Sequence, residues 1–547
     1  MESLSEETWD AIISGTGLLQ SLLALALSRS KKRILHLDTN DFYGQHEAAL
    51  SLQEADAWAR THAGPGATQQ LINEPTPTKH DSDEHVIGAN HAAASSPKEL
   101  ASVNEARQGK ASTSSGNDSG LFKNASVWRH PDAEARGLSF PRAYSLALAP
   151  QIIHTKSKLL SQLVSSKAYR QVEFLAVGSF FVYGMVGTVP SATLTRIPSS
   201  REDVFAAQSI PSRSKRALMK FLKFVIDYDA DEQKRVWQGK ADEPLSEYLM
   251  DDFKLDESLR DCVLALTLSL DGNITVKDGL AAVHRHLTST GLFGPGFCSV
   301  YPKWGGISEI AQVGCRAGAV GGGIYMLDTL VSVQEPGSGG EILLKLSNEI
   351  SVRTTTFISS QQTCSPASKT IARLVAIINS PFESLFQTHL EGAPAPAVAV
   401  VAFPPGSLSD SSRPASATPV YAFVHSRETG ECPSGQCVVY LTTQATPQAA
   451  HVLDLALTAL LQVVMPTADV LYKLYYEQAM SARQPSVTPH DSATVFEFPS
   501  PSLGLAFDDE SLNAVQEAWK LVLKDEALHN SFMKFDDRED IGDEDDD

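Results

Sequence analysis

The feature that most constrains the fold of this chain is a glycine turn between two strand-like segments near its start. Residues 15–20, Gly-Thr-Gly-Leu-Leu-Gln, follow a strand-like segment at 9–14 and open an apolar run that is compatible with a helix. The next strand-like segment, 33–38, ends in the carboxylate of Asp38. This order of strand, glycine turn, helix and strand is typical of a dinucleotide-binding βαβ unit. It predicts an α/β fold with a Rossmann-type sheet.

One position of this motif departs from the pattern that a cofactor requires. The first glycine of such a motif makes the tight turn, the second admits the pyrophosphate, and the third lets the helix pack on the strand. Gly15 and Gly17 fill the first two positions and Asp38 stands where a ribose would be held, but Gln20 replaces the third glycine. The sequence also offers no second glycine-rich phosphate loop. We interpret the turn as scaffold and expect no cofactor; an FAD-dependent oxidoreductase is the alternative.

Length and charge narrow the class of protein further. A chain of 547 residues exceeds one compact core, so we expect two domains plus insertions. A formal net charge of −20 argues against nucleic acid as a partner, because phosphate binding needs a basic face. Part of this charge lies in the C-terminal segment 536–547, which contains nine acids and one base. Such a block usually stays solvated.

The sequence shows no convincing constellation for catalysis or metal binding. The six cysteines and the histidines lack zinc-site spacing, and no Gly-x-Ser-x-Gly occurs. We expect reduced thiols, no metal, and His154, His284 and His286 at the surface or satisfied locally. No apolar run is long enough to span a membrane, which predicts a cytosolic protein.

The pattern of apolar and polar residues changes along the chain. These changes indicate a larger α/β domain made of discontinuous segments, with a smaller, mainly helical domain inserted in it. A polar stretch poor in aromatic residues predicts a disordered insertion. Strand-like runs follow from about residue 296, among them 341–346, 371–378, 398–402 and 437–442. The predicted segments are 1–59, 124–154 and 291–534 for the larger domain, 155–290 for the helical domain, 60–123 for the insertion and 535–547 for an acidic, disordered tail.

Four segments in one order resemble the Rab GDP-dissociation inhibitor and Rab escort protein superfamily: 15–21, 35–44, 301–309 and 322–327. The resemblance implies a flavoprotein-like fold with a vestigial nucleotide site and a surface that binds GDP-bound Rab GTPases. By motif position, it assigns Rab binding to Tyr43, Glu309, Arg316 and Met326. Two departures are one extra residue before Glu309 and Ile324 in place of the threonine that is familiar in the dissociation inhibitors.

A second motif separates the two branches of the superfamily. Residues 201–205, Arg-Glu-Asp-Val-Phe, with Arg216 eleven positions after Phe205, resemble the escort proteins. The resemblance implies that Phe205 and Arg216 dock onto the α/β heterodimer of Rab geranylgeranyltransferase, making the chain a non-catalytic accessory subunit. An aromatic residue beside an arginine is also a common interface composition. A dissociation inhibitor that recycles prenylated Rabs is the alternative.

The escort-protein resemblance also implies that the chain shields the geranylgeranyl lipid on Rab and contacts membranes transiently. Exposing such a lipid to water costs about 0.8 kcal/mol per CH₂. We place the lipid groove in the helical domain, where ordinary core packing is an equal interpretation of the same apolar residues. Those residues are Leu159, Leu160, Leu163, Phe221 and Phe224.

Overall fold

The structure, a computed structural model, describes most of the chain in segments. The described residues are 3–6, 8–64, 120–185, 192–198, 203–204, 210–333, 340–361, 368–409, 416–480, 484–490 and 492–535.

Strands from distant parts of the sequence build the sheets. In chain order, the strands of the described residues are β1 Thr8–Trp9, β2 Ala11–Ser14, β3 Ile34–Leu37, β4 Ala49–Leu50, β5 Phe122–Arg129, β6 Leu146–Ala147, β7 Ile153–His154, β8 Phe174–Met185, β9 Ala192–Arg196, β10 Ser299–Pro302, β11 Ile324–Met326, β12 Val331–Val333, β13 Ile342–Leu346, β14 Ser351–Thr354, β15 Thr356–Ser360, β16 Lys369–Ile378, β17 Val398–Phe403, β18 Val420–Ser426, β19 Cys437–Gln444, β20 Val470–Met480, β21 Ser486–His490 and β22 Ala493–Phe498.

Helices cover the sheets and form a separate cluster in the middle of the chain. The α-helices of the same residues are α1 Ser3–Glu6, α2 Leu18–Leu27, α3 Leu52–Thr61, α4 Lys158–Ser165, α5 Ser212–Ile226, α6 Asp231–Trp237, α7 Leu245–Asp251, α8 Glu257–Leu266, α9 Val276–Ser289, α10 Ile307–Val320, α11 Ala449–Val464 and α12 Ser511–Leu523. None of these helices has the length and apolarity needed to cross a bilayer.

The predicted Rossmann-type unit is confirmed. Strands β11, β3, β2, β15 and β22 lie side by side in parallel, and β21 adds an antiparallel edge. Helix α2 leaves the turn after β2 and is buried along nearly its whole length between α10 and α12. The strands come from four separate parts of the sequence, so the α/β fold is discontinuous, as expected.

A second, larger sheet is mixed. Its strand order is β5-β20-β16-β19-β18-β17-β8-β10-β7, and β9 pairs with β8. Its central strands β16 to β19 are apolar on both faces. One face packs on the cluster around Tyr301, Phe423 and Tyr476, and the other packs on α11. The strand-like runs predicted at 341–346, 371–378, 398–402 and 437–442 correspond to β13, β16, β17 and β19.

The prediction of mainly helical structure over 155–290 is wrong for its first part. Residues 174–185 form β8, which pairs with β10, β17 and β9 inside the large sheet. The run Phe-Leu-Ala-Val-Gly-Ser-Phe-Phe-Val-Tyr is rich in aromatic and β-branched residues, which favour strands. Helices α5 to α9, between Ser212 and Ser289, form the compact helical unit around their own core.

Two other predicted segments fall mostly outside the described residues. Of the insertion predicted at 60–123, residues 65–119 are not described, and Phe122 already belongs to β5. Of the predicted tail at 535–547, only Phe535 is described.

Candidate functional site

The glycine turn after β2 has the backbone geometry of a nucleotide turn. Gly15 has φ +105°, a conformation that favours glycine, and its N–H donates to Leu37 O at 2.7 Å. Gly17 precedes the first residue of α2, so the N-terminus of that helix points toward the turn. This is where a dinucleotide pyrophosphate would bind.

Side chains of this chain fill the space in front of the turn. A Cβ atom added at Gly15 would lie 2.3 Å from the Gln45 side-chain nitrogen, Nε2. A Cβ atom added at Gly17 would lie 3.1 Å from oxygens of both Gln20 and Glu47. The Glu47 carboxylate also accepts the Leu18 N–H at the start of α2, at 3.4 Å. An internal carboxylate thus takes the place of a phosphate at the helix N-terminus.

The carboxylate at the end of β3 is also used internally. Asp38 is fully buried, and its Oδ2 accepts the Thr16 N–H at 2.7 Å and the Thr16 hydroxyl at 2.5 Å. Its Oδ1 accepts the backbone and side-chain N–H groups of Asn40 at 2.8 and 2.9 Å. Burial raises the pKa of Asp38, and these hydrogen bonds oppose that shift. The residues around Gly15 and Asp38 therefore do not fit a dinucleotide.

The four residues to which the resemblance assigned Rab binding lie on neighbouring elements beside this turn. Tyr43 is half-buried on the loop after β3, where burial raises its pKa, with smaller contributions from nearby Cys315 and Asp38. Glu309 and Arg316 lie two turns apart on α10, and Arg316 Nη2 donates to Glu309 Oε1 at 2.7 Å. Arg316 is 50% exposed and Glu309 15%.

Met326 completes this group from the edge strand β11. It pairs with Leu37 of β3, and its carbonyl accepts the Asp38 N–H at 2.9 Å. The Tyr43 loop is held against α10, because a Cβ atom added at Gly44 would lie 3.2 Å from the Ser308 hydroxyl oxygen. We call the surface formed by Tyr43, Glu309, Arg316 and Met326 the platform.

Exposed apolar side chains that the sequence analysis missed continue from this surface. Ile324 of β11 is 42% exposed and Leu330 is 61% exposed, and Val320 at the end of α10 and Val333 of β12 are also exposed. Ile324 and Val333 lie on the edge strands β11 and β12, Val320 ends α10, and Leu330 lies in the segment between β11 and β12. The sequence did not reveal these exposed residues, because only the sheet order shows that β11 and β12 are edges.

The structure describes only one of the two residues that were predicted to dock onto the prenyltransferase. Phe205 lies outside the described residues. Arg216 is exposed on α5, whose opposite face buries Leu218, Phe221 and Val225 in the helical unit. Arg216, Lys220 and Lys223 give the exposed face of α5 a positive charge.

The apolar residues predicted to line a lipid groove belong to two separate cores. Leu159, Leu160 and Leu163 of α4 are buried in the cluster that contains α2 and α12. Phe221 is buried in the helical unit, and Phe224 packs partly against the same cluster. The helical periodicity of the four buried residues reflects core packing, whereas Phe224 lines a surface cavity of the helical unit with Val236 and Phe253, so the lipid groove remains a prediction.

The histidines that looked scattered in the sequence are not surface residues. His154 and His286 are buried, their ring centroids lie 6.2 Å apart, and the Cys298 sulfur lies 3.5 Å from His286 Nδ1. His284 is partly buried and contacts Val225 O at 3.1 Å through Nδ1. Tertiary structure joins residues 154, 286 and 298, which no local spacing motif could reveal.

Comparison with known proteins agrees with this architecture. A Rab GDI from Plasmodium falciparum has a solved structure that matches with a TM-score of 0.59 and 17% identity, over 94% of this chain and 98% of that one. An oxidoreductase from Methanosarcina mazei matches with a TM-score of 0.53 and 12% identity, over 93% and 99% of the two chains. The fold is therefore a flavoprotein-like α/β fold, as predicted.

The sequence comparisons place the chain within this class. The family model described as GDP dissociation inhibitor matches residues 5–70 and 98–390, which is more than half of the chain. The chain belongs to this family. The Rab proteins geranylgeranyltransferase component A of Saccharomyces cerevisiae is 28% identical over 462 residues, which cover 82% of this chain and 64% of that protein. The chain thus spans less than two-thirds of the length of this yeast relative.

Proposed function

We propose that this protein is a Rab escort protein. It binds GDP-bound Rab GTPases through the platform and presents them to the Rab geranylgeranyltransferase heterodimer. It then shields the attached geranylgeranyl group and delivers the Rab to membranes from the cytosol. In this role the chain is a non-catalytic accessory subunit.

The observation that carries the proposal is the combination of a closed nucleotide turn with an open platform beside it. Gln45 and Glu47 occupy the region in which an enzyme of this fold would hold its cofactor. The Glu309–Arg316 pair and the exposed apolar side chains next to Met326 are available to a partner. A charged pair bordered by exposed apolar residues is a common composition for a protein interface.

The name of the yeast relative and the exposed basic face of α5 favour the escort role. The decisive experiment measures geranylgeranyl transfer to a GDP-loaded Rab by the purified transferase, with and without this chain. We expect transfer to depend on the chain, and Phe205→Ala to abolish the stimulation while leaving Rab binding intact. Stimulation that survives Phe205→Ala would remove the argument for the docking pair.

A dissociation inhibitor is the second candidate, because the family model carries that description. It would extract prenylated Rab from membranes without stimulating transfer, so the two activities are measured side by side. A flavoenzyme would be yellow when purified. We expect no flavin absorbance and no FAD binding by calorimetry, because Gln45 and Glu47 fill the space in front of the turn.

A further inference from the structure

Three potential metal ligands from separate elements meet in the interior. His154 lies on β7, His286 on α9, and Cys298 immediately before β10. All three side chains are buried, and their ligand atoms all lie within 4.8 Å of one another. Two imidazoles and a thiol form the donor set that Zn²⁺ favours in proteins.

One distance in the cluster matches a shared metal ion. The separation between His286 Nδ1 and Cys298 Sγ is 3.5 Å. With ordinary zinc bond lengths and a tetrahedral angle, a nitrogen and a sulfur bound to the same Zn²⁺ lie about 3.6 Å apart. The separation of these two atoms therefore suits one shared ion, which would replace the hydrogen bond that they make without it.

His154 is the second, independent observation. It is 3% exposed, yet neither of its ring nitrogens has a hydrogen-bond partner within the described structure. Leaving a buried polar group without a partner is destabilising, so each such group calls for an explanation. A metal ion shared with His286 and Cys298 would supply the missing partner.

We propose that His154, His286 and Cys298 bind one Zn²⁺ ion that fastens the helical unit to the large sheet. Helix α9 carries His286. Strand β7 carries His154, and Cys298 directly precedes β10. Thr155 already joins the same elements, because its hydroxyl donates to Ser289 O at 2.5 Å and its N–H donates to Cys298 O at 2.9 Å. The ion would reinforce this junction.

The fourth ligand is solvent. A cavity of about 50 Å³ adjoins the cluster and is lined by His286, Cys298 and Phe180, among others. It is large enough for a water molecule. Three protein ligands and one water make the four-coordinate arrangement that Zn²⁺ prefers.

Zinc binding exchanges a proton for the metal at Cys298. It forms the Zn–S bond and releases the thiol proton to solvent. The thiolate offsets one of the two positive charges that the ion brings near Arg285.

The test uses the full, tag-free chain after removal of metals with a chelator, with Co²⁺ and then Zn²⁺ as probes. We expect one Co²⁺ per chain, with the visible bands of tetrahedral cobalt and a near-ultraviolet thiolate-to-cobalt band. Zn²⁺ should displace it stoichiometrically and raise the Tm in a concentration-dependent manner. Cys298→Ser should abolish the thiolate band, and His154→Ala should weaken binding by at least about tenfold.

Cys432→Ser is the matched control, because Cys432 is an equally buried thiol in another part of the fold. It should keep the cobalt spectrum. Absence of any cobalt spectrum together with a zinc-independent Tm overturns the proposal, as does a thiolate band that survives Cys298→Ser. If Cys298→Ser fails to fold, the wild-type cobalt spectrum and the Zn²⁺ dependence of the Tm decide the question. The test is independent of Rab prenylation.

Discussion

At the scale of single residues, the closed nucleotide turn depends on a few polar side chains. Glu47 is buried at the start of α2, and burial raises its pKa to about 7, although the Leu18 N–H that it accepts acts in the opposite direction. Gln45 adopts a positive φ of 44° and lies against Gly15. The cofactor fold has been adapted by replacing ligand contacts with internal ones.

The raised pKa of Glu47 makes a prediction about pH. Its pKa in the folded state, about 7, exceeds the ordinary glutamate value of 4.5, so the folded protein loses stability as pH rises from about 4.5 to 7. We expect Glu47→Gln to remove this loss and to stabilise the protein at pH 8 by up to about 3 kcal/mol. Urea unfolding at pH 5 and pH 8 measures the difference. Glu428→Gln, at an exposed site, is the control, and an unchanged pH slope for Glu47→Gln contradicts the prediction.

The platform pair makes a prediction about binding. Arg316→Ala should weaken binding of GDP-loaded Rab roughly tenfold or more, because interface arginines are common hot spots. Its effect on folding stability should stay below about 1 kcal/mol, since the Arg316 side chain is half exposed. Calorimetric titration of Rab gives the Kd. Arg129→Ala, which breaks the comparable surface pair with Asp56, should leave the Kd unchanged; equal losses in both variants would refute the assignment.

At the scale of elements, the close approach of α10 to α2 holds the platform in place. A Cβ atom added at Gly314 would lie 2.4 Å from Ser21 O, and one added at Gly321 would lie 1.9 Å from Ser28 O. The small residues of α10 therefore let two helix backbones come close together. The sequence contains several glycines between residues 305 and 323, but only the structure shows which helix packs against them.

Gly314→Ala tests this packing. The added methyl group meets backbone atoms of Ser21, which cannot move aside as a side chain could, so we expect a loss of about 2 kcal/mol or more in unfolding free energy. Gly239→Ala is the control, because nothing lies within 4 Å of the added Cβ there. Denaturant unfolding compares the two variants. A Gly314→Ala protein as stable as the control would show that the helices can separate freely.

Helix α5 makes the second prediction at this scale. Its buried face holds the helical unit together and its exposed face carries Arg216. Arg216→Ala should reduce stimulation of prenylation while leaving Rab affinity and Tm unchanged. Arg235→Ala, an exposed arginine on α6, should leave all three quantities unchanged. A loss of Rab affinity in Arg216→Ala would place Arg216 in a different interface.

At the scale of the whole molecule, the chain enters and leaves its two large sheets repeatedly. Strand β2 pairs with β15, about 345 residues later, and β15 pairs with β22, still nearer the C-terminus. The change of residue pattern along the chain, from strand-like to helical and back to strand-like, was enough to predict a discontinuous α/β fold. The bounds of the helical unit were not predicted correctly. The aromatic and β-branched residues of β8 favour a strand, but only its pairing with β10 and β17 shows that it belongs to the large sheet.

The sequence by itself determined the βαβ start, the glycine turn and most of the long strands. These features are local: a positive φ favours glycine, and buried strands favour apolar, β-branched runs. The platform residues were named by family resemblance, and their role in Rab binding stays a prediction. Tertiary structure alone decided that Gln45 and Glu47 close the turn and that α4 packs in the core formed with α2 and α12. It also brought His154, His286 and Cys298 together. Such contacts depend on which elements pack together, and the spacing of residues along a chain does not encode that.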